Sequence, residues 1–583
     1  MFLQQAQLPS TEVALVDSPL TRDGTVDYHG QTANKLRTGG FKITPVILGA
    51  EFSERVAGFA IYSNIFSYLF YEKHLDFKYA MNMTTNFIGT SFVLSLLGGY
   101  IADTYWGRFH TIFISGFIQC VGYGILIVSA SLEKFQCLDP ETCSAAEGTN
   151  LATIYVGLYV IALGIGGVKS SVSAFGADQF DREDSREAAQ LPTYFNWFYF
   201  FIMMGALMSV IVVYIQDKNW SWGFGTQLMI VYLFVVIFVA LRTFYRYKIP
   251  QGSPLSTLGR VFVSAVHRRN LPHPVDNSGF FFETRQQSLE IVQTQNMRWL
   301  DKAAILQERD TTHGPQRLAS VAEVEDTKLM IRLLPIAATT WFFWTVQAQF
   351  ATITISQAWT SNRHLGPHFT VPPAVVGVMQ TIFVLISVPI YDRVFVPFAR
   401  RFTGNPTGIT NLQRLGLGLV TPILAMTCAA LVERRRLGVV HEKNMDLHPR
   451  TPIESFSMFW FTPQNFFMGL GEALMYPGQI NFFYTEAPKS MQSLGTSMTL
   501  STLGIGYFGS SAIASAVHRA TSTSSSSGWF QNNVNESRLD YYYWALAVLA
   551  VVNLVAFLMV SRLNMYKRTN SVDTSRSLDE EQQ

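Results

Sequence analysis

Glu51-Phe52-Ser53-Glu54-Arg55 places three ionisable side chains within five residues, inside an apolar stretch that runs from Ile43 to Tyr71. That stretch is long enough to cross a bilayer, and burying one such group at membrane depth costs about 2.5–3.5 kcal/mol on insertion scales. Positions 51, 54 and 55 share one face of a helix. The two acids and the arginine therefore turn together toward a protein interior and partly neutralise one another. This pattern implies a polar pathway rather than a lipid-facing surface, and an ion-coupled transporter is the expectation.

Composition agrees. Of 583 residues only 14% are charged, against about 25% in soluble domains. A net charge of +2 gives no case for nucleic acid, and 45 Phe with 24 Tyr suit lipid-facing and interfacial positions. Twelve segments approach the roughly 20 residues of a spanning helix, at 43–71, 80–102, 110–131, 150–175, 193–214, 224–244, 329–355, 370–390, 411–432, 457–484, 495–517 and 539–562. The expected organisation is a tail (1–42) without a signal peptide, a six-helix bundle (43–245), a linker (246–328), a second six-helix bundle (329–563) and a final tail (564–583). Lys35, Arg37 and Lys42 before the first span put the N-terminus in the cytoplasm, and twelve crossings return the C-terminus there with Lys567 and Arg568. Arg434-Arg435-Arg436, on the outer side, is the exception to this charge rule. The halves resemble each other only in an acid at the cytoplasmic end of helices 2 and 8, Asp103 and Asp392. In the linker, Leu258–His267 reads either as an amphipathic helix along the membrane or as ordinary charged linker.

Charged and polar residues converge in depth. Glu51 lies about 12 Å into helix 1 and Lys169 about 9 Å into the antiparallel helix 4, at 1.5 Å per residue. A nearby acid lets a buried lysine keep its proton, so Glu51 or Glu54 with Lys169 forms either a protonation switch or a permanent salt bridge. Glu472, mid-way along helix 10, reads as a lone carboxylate that binds a proton or a cationic group, or as a structural hydrogen-bonded acid. Trp341, Trp344, Gln347 and Gln349 of helix 7 are candidates for the same cavity. Cys137 and Cys143, in the outer loop between helices 3 and 4, form a disulfide or stay two free thiols, while Cys120 and Cys428 are packing residues. Asn535-Glu536-Ser537 is a glycosylation pattern, and Thr521–Ser527 reads as a flexible loop. Neither a metal-ligand cluster nor a nucleophile–base pair or phosphate loop is visible, so neither an enzyme nor a cofactor is expected.

These residues resemble a known family. Glu51-x-x-Glu54-Arg55 is similar to the ExxER motif of proton-dependent oligopeptide transporters of the major facilitator superfamily. Leu97–Arg108, Phe175–Asp181 and Phe195–Phe200 resemble further signatures of that family, and Arg298–Ala304 with Leu539–Trp544 resemble its plant nitrate/peptide branch. The resemblance implies an all-α integral membrane protein with twelve transmembrane helices in two six-helix bundles, rocking about a central site. It implies proton coupling by Glu51, Glu54 and Arg55 with Lys169, and substrate binding by Arg55, Tyr62, Lys169, Gln347 and Glu472. Thr111, in the pattern Arg108-x-x-Thr111, aligns with a regulatory phosphothreonine, so a kinase is a candidate partner; an unmodified capping threonine is the alternative.

Departures bear on the substrate. Gly58, Phe59 and Ala60 stand where peptide-carrying members commonly have two tyrosines and a glycine, and Gln347 stands where a nitrate-carrying member has a histidine. Glutamine can donate a hydrogen bond but cannot become cationic. The expectation is a symporter of nitrate or another small anion, or of a plant hormone or specialised metabolite; a di/tripeptide carrier and a non-transporting sensor are the alternatives. A small-molecule substrate, the lipid bilayer, the proton as coupling ion, a monomer or weak homodimer, and the plasma membrane rather than the vacuolar membrane complete the reading.

Overall fold

The computed structural model describes residues 19–580, apart from 132–145, 182, 251, 253, 275–278, 283–293, 295, 307–317, 405–407, 449–450, 489–490 and 523–527, and describes side chains as far as residue 563 except those of 192, 196, 492 and 493. Among the described residues, twelve long helices order the chain: α1 (Thr44–Ser67), α2 (Phe77–Ile101), α3 (Gly107–Ser131), α4 (Gly148–Ala177), α5 (Leu191–Lys218), α6 (Trp220–Ala240), α7 (Val321–Gln347), α8 (Val376–Ile390), α9 (Asn411–Glu442), α10 (Thr462–Glu486), α11 (Gln492–Thr521) and α12 (Leu539–Glu580). Local chemistry sets several starts. Capping boxes open α7 (Ser320 with Glu323) and α9 (Thr410 with Gln413), Asn219 caps α6 through the Trp222 N–H, and prolines occupy the first turn of α1 and α10.

Among the described residues, nine helical stretches are long and apolar enough to cross a membrane, one of them containing both α2 and α3. The two long helices outside that set are α1 and α10, which carry Glu51, Glu54 and Arg55, and Glu472. The internal repeat, faint in the sequence, is plain in the packing. In the first half α1 packs on α5, α2 on α4, and α3 on α4 and α6; in the second, α7 packs on α11, α8 on α10, and α9 on α10 and α12. Asp103 and Asp392 occupy matching places, each in a π-helical turn that ends α2 (Ala102–Trp106) or α8 (Tyr391–Phe395).

The halves meet along α2 against α11 and α5 against α8. Mid-way, backbone touches backbone: a Cβ on Gly89 would lie 3.0 Å from the carbonyl oxygen of Gly504. At the end remote from the N-terminal segment, Asn532 accepts from the Phe77 N–H at 2.9 Å and donates to Asp76 at 2.8 Å, and the rings of Tyr71 and Trp359 lie 4.4 Å apart. These contacts join the two halves on that side.

The N-terminal residues 19–43 form a strap on the first half. Lys35 bridges Asp181 (2.9 Å) and Asp184 (2.7 Å). Arg246, fully buried, donates two hydrogen bonds to Glu187 and one to the Thr38 carbonyl. Gly39 sits at φ +67°, where a Cβ would come 2.4 Å from Arg246 Nε, so this position takes glycine for both conformation and space. The linker holds a helix at Pro254–His267 that turns Val261, Ser264 and Ala265 inward and leaves Phe262, Val263 and Val266 exposed.

The Arg434–Arg436 exception resolves into one buried group, Arg436, and two exposed ones, of which Arg435 is stacked on a ring. Arg436 is 0% exposed and uses its guanidinium on both Glu433 oxygens (2.7 and 2.8 Å), Thr360 Oγ1, Asn535 Oδ1 and the Val534 carbonyl. Arg435 lies over the Trp460 ring at 4.5 Å. Gln357 extends the buried network, donating to Glu433 and accepting from Tyr543.

Breaking a buried pair costs about 3–5 kcal/mol because the remaining charge is stranded. Glu433→Gln should therefore lower the melting temperature of the detergent-solubilised protein sharply, and Glu433→Gln with Arg436→Met should recover part of the loss. The strap should follow pH. Burial opposes the charge on Asp181, but hydrogen bonds from Lys35 and two backbone N–H groups hold its carboxyl below the usual range. The Lys35 ammonium and the Arg186 N–H do the same for Asp184. Burial likewise opposes the charge on Lys35, yet its two carboxylate partners hold it above its ordinary value. Stability from depressed carboxyls is present above their unfolded pKa of about 4 and lost as pH falls through the folded value; that from Lys35 is present below about 10 and lost only at more alkaline pH. Residues 19–43 should therefore resist hydrogen exchange from about pH 5 to 9 and lose protection below about pH 3.5.

Candidate functional site

The charged face of α1 is buried as its spacing predicts. Glu51 and Glu54 are 1% and 3% exposed. Arg55 Nε donates to Glu51 Oε1 at 2.6 Å and lies 3.4 Å from Glu54 Oε2. The two acids are not equivalent: Glu51 accepts that short bond, whereas both Glu54 oxygens are buried without a hydrogen bond. Glu54 is thus held to Arg55 by charge rather than by a hydrogen bond. The cluster depends on close helix approach, since a Cβ on Gly205 of α5 would lie 2.5 Å from Arg55 Cβ. Gly58, one turn beyond Glu54, leaves room for its Oε1.

Lys169 lies in the same electrostatic neighbourhood, feeling Glu54, Arg55 and Glu51. Its direct contacts are aromatic, with the ammonium 4.0 Å from the Phe92 ring centre and 5.2 Å from that of Tyr62. The ion pairs within 4 Å run from Arg55, not Lys169, to the two acids. The expected contact between Lys169 and Glu51 or Glu54 is therefore corrected to a cation–π seat, because the α2 and α4 packing brings Phe92 under the lysine.

A cavity of about 210 Å³ lies between the halves. Arg55, Tyr62, Lys169, Gln347 and Glu472 all line it, and so do Phe59, Trp344, Gln380, Tyr476 and Tyr507. Glu472 is not a lone carboxylate: Gln380 Nε2 on α8 donates to its Oε2 at 2.7 Å and to Gln347 Oε1 at 2.9 Å. Gln380 was missed by sequence reasoning, although a glutamine amid Val376–Ile390 is a visible signal. Trp344 donates to Gln479 at 3.1 Å. Gln349 turns away, because α7 ends at Gln347; it is fully buried and donates to Thr345 O and Ser510 Oγ. Trp341 packs against Gly509 of α11.

The other sequence candidates fall elsewhere. Thr111 is 2% exposed, one turn inside α3, and donates to the Gly107 carbonyl at 2.9 Å, so it neither caps the helix nor presents its hydroxyl to solvent. Its neighbour Arg108 pairs with Asp178 and with Asp103 (3.4 Å). Asn535 is 1% exposed, with Oδ1 held by Arg436 and Nδ2 donating to the Met445 carbonyl at 3.0 Å. A glycan on that nitrogen does not fit this arrangement; the three-residue pattern carries no information about burial. Cys137 and Cys143 lie outside the described residues, while Cys120 and Cys428 are free, half-buried thiols. Among the described residues no group of His, Cys, Asp or Glu is arranged to hold a metal ion.

Two six-helix halves around a cavity that joins cations, a carboxylate and aromatic walls define a solute transporter of the major facilitator type. The POT family model (PTR2) matches residues 109–530. Relatives in Arabidopsis thaliana include protein NRT1/PTR family 6.2, 41% identical over 92% of this chain and 93% of that protein, and NRT1/PTR family 8.1, 38% identical over 94% and 98%. Solved structures of the same fold include the POT family transporter PepTSo (TM-score 0.63, 21% identity, 90% of this chain and 98% of that one) and an auto-inhibited POT family peptide transporter (0.65, 21%, 89% and 97%). The chain belongs to the POT family of proton-coupled transporters, and it is an integral, multi-pass membrane transporter rather than an enzyme.

Overpacking a close contact costs about 1–3 kcal/mol. Gly205→Val should lower the melting temperature and abolish uptake at normal surface abundance, while Gly49→Ala, with nothing within 4 Å of the added carbon, should leave both unchanged.

Proposed function

We propose that the protein is a symporter that carries a small anionic solute together with protons, binding the anion at Arg55 and Lys169. One observation carries this reading: both cations line the cavity, while the carboxylates that balance Arg55 lie behind it on the same helix. Protonation of Glu54 relieves its hold on Arg55, and the freed guanidinium with the aromatic-seated Lys169 can then take up an anion. Deprotonation restores the pair and expels it. Proton and anion thereby bind in a mutually favourable way, which is the thermodynamic requirement for symport.

The solute is nitrate or another small anion, or an organic anion such as a hormone or specialised metabolite. Phe59 supports this order, since a cavity-lining phenylalanine offers no hydroxyl where peptide carriers use one. Glu472 supports a second reading, a di/tripeptide, whose ammonium would face that carboxylate. The flanking Lys and Arg support cytoplasmic termini, and the plasma membrane is the proposed location. With that sidedness the contacts of Tyr71, Trp359 and Asn532 seal the outer face.

Oocytes expressing the protein should accumulate one class from a panel of nitrate, a dipeptide, plant hormones and a glycosylated metabolite, several-fold more at about pH 5.5 than at 7.5. Glu54→Gln should flatten that pH dependence. Uptake that is indifferent to both pH and this substitution sinks the symport reading.

A further inference from the structure

Helical structure continues past the end of the α8 span. It runs from Pro373 through the π-helical turn at Tyr391–Phe395 into a short helix, Val396–Thr403. Those 31 residues measure about 46 Å at 1.5 Å per residue, against a hydrocarbon core of about 30 Å. Residues 373–391 carry no charge, and Asp392 and Arg393 are the first charged side chains, so the short helix lies at headgroup depth. An exposed apolar stripe crosses this boundary without a break. Ile382, Ile386 and Ile390 step along α8 at 45–53% exposure, and Val394, Phe398 and Phe402 continue the same step at 60–76%. The rings of Phe398 and Phe402 lie 5.0 Å apart. Another face of the short helix is held by protein: Ala399 is buried, Gly408 folds back against it and Val396, and Thr403 Oγ1 donates to the Gly408 carbonyl.

Positive charge sits beside the stripe. Arg393, Arg400 and Arg401 are exposed, Arg414 stacks over the Tyr391 ring at 4.3 Å, and Asp392 is the only acid between residues 373 and 432. The first half differs: its π-helical turn ends at Trp106, and Gly107 opens α3 directly. An apolar stripe at headgroup depth flanked by arginines fits the surface of an anionic leaflet. The inner leaflet carries the negative lipid charge, and the guanidinium fork matches phosphate oxygens. We propose that residues 393–402 form a docking surface for anionic phospholipids of the cytoplasmic leaflet. Val394, Phe398 and Phe402 lie among the acyl chains, and Arg393 and Arg401 lie on the phosphates. The choice of leaflet rests on the cytoplasmic sidedness proposed above. The surface fastens α8, and with it the second half, to the membrane on that side.

The test uses the full-length protein in lipid nanodiscs of phosphatidylcholine, alone or mixed with phosphatidylglycerol. Both faces of a nanodisc carry the same lipids, so the readout is independent of sidedness and of transport. In discs holding one copy, backbone hydrogen exchange in residues 396–403 should slow at least about threefold when phosphatidylglycerol is present. Arg393→Gln with Arg401→Gln should remove that lipid dependence, and Phe398→Ser with Phe402→Ser should speed exchange in both lipids. Unchanged exchange in α9 and α10 checks that each variant folds; if the arginine pair fails that check, Arg401→Gln alone takes its place. Equal exchange in both lipids, or a lipid dependence that survives the arginine substitutions, overturns the proposal. Protection that appears only in discs holding two copies also overturns it and marks the stripe as a contact between copies. If acid-stimulated uptake fails while the lipid dependence holds, the symport reading falls and this one stands.

Discussion

The ion pair between Arg55 and Glu51 is the interaction on which the rest of the molecule turns. A charged helix face cannot be left against lipid, so α1 must be walled in by protein, and α5, α6 and α4 supply those walls. The approach is tight enough that Gly205 admits no side chain beside Arg55. Because one arginine serves two acids, one acid is always served worse. Glu54, with its unbonded oxygens, is the acid held by charge alone, while Glu51 takes the short hydrogen bond.

What the sequence discloses follows the cost of each residue. Charges at membrane depth are expensive, so Glu51, Glu54, Arg55, Lys169 and Glu472 stand out against their apolar surroundings, and the structure sets Arg55, Lys169 and Glu472 on one cavity with Glu51 and Glu54 paired to Arg55. Gln380 went unnoticed because a neutral amide in a span is cheaper and commoner, and its significance appears only when α8 sets it between Gln347 and Glu472. Lys169 was paired by depth alone. Depth along a helix says nothing of azimuth, and the α2 packing gave it Phe92 instead of a carboxylate. Gln349 failed for a local reason, since two residues beyond the end of α7 the chain no longer faces the cavity. Asn535 and Arg436 failed together: a glycosylation pattern and a basic run both imply exposure, but each residue became the other's buried partner.

The twofold plan was almost invisible in residue identities yet is explicit in which helix packs on which. Equivalent packing needs only equivalent shapes and apolar faces, which many sequences satisfy. The matching π-helical turns at Asp103 and Asp392 are among the few places where the repeat survives in both backbone and side chain. The two halves have otherwise diverged in chemistry, one holding the cations of the cavity and the other its carboxylate and amides.

The contact between Gly89 and Gly504 gives that division a mechanical meaning. Here two helices cross with backbone against backbone, flanked by Val93, Tyr507 and Phe508. A rotation of one half on the other about this point would change the crossing angle of α2 and α11 while leaving each half its own packing.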